Sequence, residues 1–170
     1  MEEQAYWYKD MDSPVGRIRL VTTGKGLAAV LWNGEDALRV KLQLVVEDAQ
    51  HPVLLETERQ LNEYFAKKRK EFDLPLDLIG TDFQKKVWEL LLTIPFGKTK
   101  SYGDLARQLG DMKTVRAVGG ALNKNPVSII VPCHRVIGAS GDLTGFAGGL
   151  DNKTYLLELE NPGTQFKLWE

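Results

Sequence analysis

The sequence predicts an α+β fold in which a small N-terminal antiparallel sheet with helices is followed by a mainly helical domain containing a helix-turn-helix. Polar and apolar residues alternate with strand periodicity near residue 20. From residue 81 onward, apolar residues recur with helical spacing, and two short helical segments are separated by a tight turn. We therefore divide the chain into an N-terminal α/β scaffold domain, residues 1–80, and a C-terminal domain, residues 81–170, that carries the functional residues.

The N-terminal domain is predicted to begin with antiparallel strands joined by turns over residues 4–32. An alternating strand at residues 17–21 is turned back by Thr22-Thr23-Gly24-Lys25-Gly26 into a second strand at residues 27–32. Residues 35–46 fit either a helix or a strand.

An amphipathic helix is predicted over residues 53–66, opened by His51 and Pro52. The basic run at residues 67–70 lies at the negative end of the helix dipole, so we assign it to capping and solvation rather than to nucleic-acid binding. His51 is expected at the surface. An extended segment, residues 72–79, completes the domain.

The C-terminal domain is predicted to open with a helix that Thr81 caps and that reaches residue 93. Two shorter helices follow, residues 102–109 and residues 115–123, with Gly110 ending the first and Thr114 capping the second. Such a pair indicates a helix-turn-helix, although it also occurs as ordinary core packing.

Two glycines in a helix interior and a glutamate at a helix C-terminus are unfavourable features of this domain that need an explanation. Gly119 and Gly120 cost about 1 kcal/mol each in a helix interior, which predicts the close approach of another backbone, that of the Cys133 segment. A last helix over residues 153–160 places Glu160 at its electrostatically disfavoured end. Orientation of a histidine would explain that carboxylate, and solvation is the alternative.

Charge is unevenly distributed along the chain. The net charge is −1, but residues 1–80 carry 11 Lys/Arg against 14 Asp/Glu, whereas residues 98–135 carry seven basic and two acidic residues, a net of +5. The basic segment includes both short helices and favours contact with a polyanion. A solvated surface is the alternative reading of the same charges.

The only cysteine of the chain, Cys133, lies beside His134 and Arg135. The β-branched residues Val127 and 129–131 predict a short buried strand, which Pro132 ends. A thiol in this electropositive, half-buried position is suited to act as a thiolate nucleophile. A buried cysteine that serves only as a small apolar side chain is the alternative.

Composition excludes several classes of protein. No stretch approaches the roughly 20 apolar residues of a membrane span, and the acidic N-terminus is unlike a secretory signal. One cysteine cannot form an internal disulfide, and one cysteine with two histidines does not suffice for the usual zinc site. We expect a cytoplasmic monomer with no metal, no cofactor and no membrane partner.

Residues 130–137 have the sequence Ile-Val-Pro-Cys-His-Arg-Val-Ile. The segments Arg116-Ala-Val-Gly-Gly-Ala and Asn-Lys-Asn-Pro precede this motif, and Thr-Gly-Phe-Ala-Gly-Gly-Leu follows it. Together, these segments resemble the O6-alkylguanine-DNA alkyltransferases. The resemblance covers residues 81–160 motif by motif and, more loosely, the turn at residues 12–16. It implies a ribonuclease H-like N-terminal domain and a winged-helix/helix-turn-helix C-terminal domain. It also implies direct repair of O6-alkylguanine in double-stranded DNA, with O4-alkylthymine as a candidate second substrate and with each molecule reacting once.

The resemblance also implies roles for individual residues. Cys133 would accept the alkyl group, His134 would act as its base through a water, Glu160 would orient that histidine, and Asn125 would brace the turn. Tyr102, with Gly103, would press on the target nucleotide and donate to the guanine ring nitrogen. Arg116 would take the place of the flipped base as the helix-turn-helix enters the minor groove. The remaining substrate- or DNA-binding residues implied are Val131 and Cys133 through their carbonyl groups, Arg135, Phe146, Ala147 and Gly148.

Two positions depart from the family pattern. Many relatives have Tyr at the position of Phe146, and some have Ser at that of Ala147, so main-chain N–H groups of the loop would have to contact the guanine oxygen. Small Ala147 and Gly148 suggest room for bulkier alkyl groups. The sequence contains neither the metal-site cysteines of some N-terminal domains nor a second, zinc-binding methyl-acceptor domain.

Two other functions use the same residues. A DNA-binding protein without chemistry would need only the helix-turn-helix, with Cys133 merely buried. A Cys–His–Glu hydrolase would turn over through an acyl-enzyme and would not need Arg116 or Tyr102.

Overall fold

The computed structural model describes residues 5–32, 44–110, 114–138, 142–143, 146, 148–163 and 167–168. The chain divides into two compact units: Met1–Ile79 with Pro126–Ser128, and Gly80–Asn125 with Ile129–Glu170. Within the described residues, no helix is both long enough and apolar enough to cross a membrane.

The first unit contains a four-stranded sheet of order β3-β2-β1-β4, built from Ala5–Met11, Ile18–Thr22, Leu27–Trp32 and Leu44–Glu47 for β1 to β4. The β1–β2 and β2–β3 pairs are antiparallel, as predicted, but β4 runs parallel to β1 with Trp7 opposite Val46. The predicted antiparallel sheet is therefore a mixed sheet, because β4 adds one parallel pair. Residues 35–46, which fitted either helix or strand, are a strand from Leu44, and their earlier part lies outside the described residues.

Helix α1, Pro52–Phe65, packs on this sheet and buries Leu54, Leu61 and Tyr64 completely. His51 is its N-cap, because its Nδ1 accepts a hydrogen bond from the Val53 N–H at 3.2 Å. The apolar stripe thus formed the predicted helix, and the capping histidine has a local structural role.

Residues Pro126–Ser128 belong to the first unit, although they lie inside the segment assigned to the second domain. The Val30 N–H donates to the Pro126 carbonyl at 2.8 Å, and Val127 forms a single parallel bridge with Val30. The Trp32 Nε1–H donates to the Ser128 hydroxyl at 3.2 Å. Among the residues that the structure describes, this segment makes a single bridge and no strand ladder, so the strand predicted over residues 127–131 is wrong.

The second unit is mainly helical, with α2 Asp82–Leu91, α3 Tyr102–Gln108, α4 Val115–Asn123 and α5 Leu150–Glu160. Four two-residue strands form two pairs beside them: β5 Lys100–Ser101 with β6 Val136–Ile137, and β7 Asp142–Leu143 with β8 Lys167–Leu168. Capping boxes at Thr81 and Ser101 begin α2 and α3, each cap exchanging hydrogen bonds with the residue three positions on. The predicted cap at Thr81 and the predicted helix start at residue 102 are confirmed, whereas the cap at Ser101 was not predicted.

Helix α4 packs against both α2 and α3, and the Trp88 Nε1–H donates to the Ala121 carbonyl at 2.9 Å. Thr114 is the N-cap residue of α4 but makes no side-chain cap hydrogen bond. A Cβ atom at Gly119 or Gly120 would meet no described atom within 4 Å. The predicted close approach of the Cys133 segment to these glycines is therefore wrong, and they leave an open strip on α4.

A glycine in the first unit is required by packing. A Cβ atom at Gly26 would lie 2.7 Å from the Pro75 carbonyl carbon and oxygen and 2.9 Å from the Leu76 nitrogen, where Leu27 bonds to that segment. Gly26→Ala is expected to lower the free energy of unfolding by about 1–3 kcal/mol, because the backbone must shift. Urea denaturation measures the loss.

Gly24→Ala is the matched control in the same turn, since its Cβ would meet nothing within 4 Å. Its free energy of unfolding should stay within about 0.5 kcal/mol of wild type. Equal losses in the two variants would contradict the packing argument.

Candidate active site

The cysteine lies at the start of a 3₁₀ helix, Cys133–Arg135, and only 7% of its surface is exposed. The preceding segment turns instead of extending, because Ile129 has a φ of +75°, a left-handed conformation that is rare for a β-branched residue. The Asn125 Nδ2 donates to the Val131 carbonyl at 2.8 Å and ties this turn to the end of α4. The turn therefore fixes the backbone on which the thiol is carried.

His134 and Glu160 form a fully buried pair, with 2.8 Å between His134 Nε2 and Glu160 Oε2. An ionised carboxylate only accepts hydrogen bonds, so Nε2 must carry the proton. In a neutral imidazole this leaves Nδ1 with a lone pair. Nδ1 is buried and has no hydrogen-bond partner among the described residues, so it is available as a base.

Arg135 holds the same carboxylate from the other side. Its Nε donates to Glu160 Oε1 at 2.8 Å and its Nη2 to Oε2 at 3.0 Å, while Nη1 donates to the Ile94 carbonyl at 2.6 Å. The side chain is buried and its guanidinium is engaged on three nitrogens. In this structure the side chain therefore positions Glu160, and its contact with DNA stays a prediction.

The charges of the pair follow from these contacts. Burial would raise the pKa of Glu160, but hydrogen bonds from His134 and Arg135 and the positive charge of Arg135 outweigh it and hold that pKa well below its usual range. Burial lowers the pKa of His134 despite the neighbouring carboxylate, so the imidazole is neutral at physiological pH. The site thus combines an ionised carboxylate with a neutral imidazole.

The carbonyl groups near the thiol are partly occupied. The Val131 oxygen accepts from Asn125 Nδ2 and from the Cys133 N–H, both at 2.8 Å, which uses both of its lone pairs. The use of the Val131 carbonyl for a guanine amine stays a prediction, and that amine would have to replace one of these two donors. The Cys133 oxygen accepts from the Val136 N–H.

The other predicted residues lie on the helix-turn-helix and in the glycine-rich loop, residues 143–149. Tyr102 and Gly103 form the half-buried first turn of α3, and Arg116 is exposed in the first turn of α4. Phe146 and Gly148 are half-buried, whereas Ala147 lies outside the described residues. The structure thus brings Asn125, Cys133, His134 and Glu160 into one connected turn-and-helix arrangement.

Sequence reasoning missed Lys153, which is 1% exposed and whose Nζ donates to the Val136 carbonyl at 2.8 Å. Burial lowers its pKa to about 8, and negative charge on Cys133 opposes that fall. The sequence does contain a signal that Lys153 is buried. Positions 153, 156, 157 and 160 share one helix face, and the buried Leu156 and Leu157 show that this face is internal.

The fold and the site together define a class of protein: a two-unit α+β protein with a buried cysteine, a histidine–glutamate pair and a helix-turn-helix. Residues 82–162 match the family described as 6-O-methylguanine DNA methyltransferase, DNA binding domain, and residues 6–78 match the ribonuclease-like domain of the same methyltransferases. The chain belongs to this family.

Named relatives cover nearly the whole chain. Methylated-DNA–protein-cysteine methyltransferase of Mycobacterium tuberculosis strain H37Rv is 49% identical over 90% of this chain and 91% of the relative. The protein of that name from Methanosarcina acetivorans is 46% identical over 91% of this chain and 97% of its own length.

Solved structures agree with this assignment. The O6-methylguanine methyltransferase of Mycobacterium tuberculosis has a TM-score of 0.83 at 45% identity and covers 94% of this chain and 95% of its own. A structure of the M. tuberculosis protein in complex with DNA has a TM-score of 0.81 at 47% identity and covers 92% of both chains. The predicted family and two-domain fold class are confirmed.

Acid should weaken the folded state through the buried pair. The folded pKa of His134 and of Glu160 are both lowered, so the unfolded chain binds protons that the folded chain rejects. Stability is then present above the unfolded pKa values, about 6.5 and 4.3, and is lost as pH falls below each. Chemical denaturation between about pH 7.5 and pH 4 should show the free energy of unfolding falling over this range.

Glu160→Gln should lower the free energy of unfolding at neutral pH by about 3–5 kcal/mol, because it leaves the buried Arg135 charge uncompensated. The variant should also lose stability less steeply below about pH 5, having no carboxylate to protonate. Glu158→Gln, an exposed substitution on the same helix, should behave as wild type. An unchanged acid slope in Glu160→Gln would contradict the assignment.

Proposed function

We propose that this protein repairs O6-alkylguanine in double-stranded DNA by transferring the alkyl group to the sulfur of Cys133. The observation that carries the proposal is the buried His134–Glu160 pair beside Cys133, with an unprotonated Nδ1. Family membership and relatives named methylated-DNA–protein-cysteine methyltransferases support it. The M. tuberculosis structure in complex with DNA supports duplex DNA as the partner.

The reaction needs a thiolate and a leaving group. His134 Nδ1 takes the thiol proton through a water, while Glu160 holds Nε2–H and stabilises the protonated ring that results. The sulfur then forms a bond to the alkyl carbon as the bond from that carbon to guanine O6 breaks. The electron pair moves onto guanine, where Tyr102 donates to the ring nitrogen as charge develops.

The product limits each molecule to one reaction. A thioether on Cys133 is stable to water, and the sequence holds no second cysteine that could resolve it. We infer stoichiometric rather than catalytic repair, which needs no cofactor.

Access to the alkyl carbon requires the base to leave the helix stack, at a cost of a few kcal/mol. The helix-turn-helix of α3 and α4 lies in the basic segment, and Arg116 is exposed at the start of α4. The open strip at Gly119 and Gly120 leaves α4 without side chains that would hold a duplex away. These features support entry of α4 into the minor groove, with Arg116 filling the space of the flipped base.

The glycine-rich loop would form the wall of the base pocket. Phe146 has no hydroxyl, so main-chain N–H groups around Phe146, Ala147 and Gly148 would contact the guanine oxygen. We assign residues 1–80 a scaffold role, and we place the protein in the cytoplasm as a monomer.

Mass spectrometry of the intact protein tests the transfer directly. After mixing with duplex DNA carrying O6-methylguanine, the chain should gain about 14 Da, one CH₂ net, saturating at one adduct per molecule. Peptide mapping should place the adduct on Cys133, and Cys133→Ser should gain none.

Two other outcomes of this experiment would contradict the proposal and indicate a different function. DNA binding without an adduct would indicate a DNA-binding protein without chemistry. Repeated turnover on an ester or amide would indicate a hydrolase.

Arg116→Ala should slow the reaction with duplex substrate by about 10–100-fold, because flipping loses its replacement for the extruded base. Reaction with the free base O6-benzylguanine should be unchanged, since no flipping is needed. Lys86→Ala, which removes an exposed charge on α2, should leave both rates at wild-type values. Rates come from the adduct mass as a function of time, and equal losses on duplex and free base would contradict the role of Arg116.

A further inference from the structure

Lys153 lies at the inner face of α5, in contact with the segment that follows the cysteine. Its Nζ donates to the Val136 carbonyl at 2.8 Å, and the Val136 N–H donates to the Cys133 carbonyl. Helix α5 also packs directly on the 3₁₀ helix that begins at Cys133. Two consecutive hydrogen bonds therefore connect the ammonium group to the backbone of the nucleophile.

A structural role alone does not explain why this residue is charged. The side chain is 1% exposed, and burying an ammonium group costs several kcal/mol even after relaxation. A neutral donor could bond to the Val136 carbonyl at a lower cost. A nearby negative charge would offset this cost most effectively, because charges interact more strongly where water is excluded.

The other charged groups beside the thiol already act on one another. Arg135 forms a two-point pair with Glu160, and His134 is neutral and bonded to the same carboxylate. The positive charge of Arg135 is thus largely balanced at Glu160. Lys153 adds a cation on the side of α5 that contacts the Cys133 segment.

We propose that the Lys153 ammonium group is a positioning residue that stabilises the Cys133 thiolate electrostatically and so raises the fraction of reactive sulfur at neutral pH. The inference rests on the proposed role of Cys133 as alkyl acceptor. Its proton balance is simple: the thiol proton leaves for His134 or solvent, and Lys153 keeps its own proton. Negative charge on Cys133 counters the fall that burial causes in the pKa of Lys153, which agrees with this arrangement.

The proposal has a consequence for the spent protein. Alkylation converts the thiolate into a neutral thioether, so the ammonium group loses the anion that favoured its charged form. The pKa of Lys153, about 8 with the thiolate present, should then fall further because only the effect of burial remains.

Thiolate absorbance near 240 nm tests the proposal, since the chain has a single cysteine and the signal reports Cys133 alone. The difference spectrum against Cys133→Ser removes the tyrosine contribution. Lys153→Met should raise the titration midpoint by about one pH unit or more, which is a tenfold lower ratio of thiolate to thiol at a given pH. Lys153→Arg, which keeps the charge, should restore much of the shift, and the exposed Lys86→Met should leave the midpoint unchanged.

A folded Lys153→Met protein with the wild-type midpoint would overturn the proposal. A second measurement on the unmutated chain covers the case in which that variant does not fold. The pKa of Lys153 is followed by NMR of ¹³C-labelled lysine before and after Cys133 is capped with iodoacetamide. A lower pKa after capping supports the proposal, and an unchanged value overturns it.

Failure of this inference is distinguishable from failure of the proposed function. If the protein takes up the methyl group from DNA but its thiolate midpoint does not depend on Lys153, only the electrostatic role is wrong. If the midpoint depends on Lys153 but no adduct forms with methylated DNA, the charge pair stands and the proposed function falls.

Discussion

The arrangement of the site depends on one carboxylate, that of Glu160 at the end of α5. It accepts from His134 Nε2 at 2.8 Å and from two nitrogens of Arg135, so it fixes both residues that follow Cys133 in the 3₁₀ helix. Because an ionised carboxylate only accepts, it also decides which imidazole nitrogen carries the proton. The position of one side chain thus sets both the backbone around the thiol and the chemistry of its base.

This arrangement accepts local costs that the surrounding contacts offset. Ile129 has a left-handed backbone, which costs about 1–3 kcal/mol for a residue of this kind. The hydrogen bond from Asn125 to Val131 and the burial of Ile129 hold the turn in that conformation. Three charged residues, Arg135, Lys153 and Glu160, are also buried here, which is favourable only while each keeps its partners. Such a cluster specifies one geometry, because any loosening exposes an uncompensated charge.

The helices were predictable from sequence because their signals are local. Thr81 and Ser101 cap α2 and α3 through side chains that the sequence displays. The motif predicted Asn125, His134 and Glu160 as partners of Cys133, and the structure joins His134 to Glu160 and Asn125 to the turn before Cys133. Features set by distant contacts were not predictable. Residues 127–131 have the composition of a strand, yet a buried turn requires the same apolar side chains. Arg135 and Lys153 are basic residues whose burial depends on where the 3₁₀ helix and α5 meet, which no local pattern records.

Helix α4 contains two glycines that lower its stability and that no internal contact requires. Gly119 and Gly120 each cost about 1 kcal/mol relative to alanine, and no described atom approaches the positions where their Cβ atoms would lie. Internal packing therefore does not explain why these positions are glycine. A strip of bare backbone on the helix that also carries the exposed Arg116 is useful when another macromolecule must approach closely. Under the proposed function, the stability lost in α4 is a requirement of DNA contact, and the buried cluster around Glu160 serves the chemistry of Cys133.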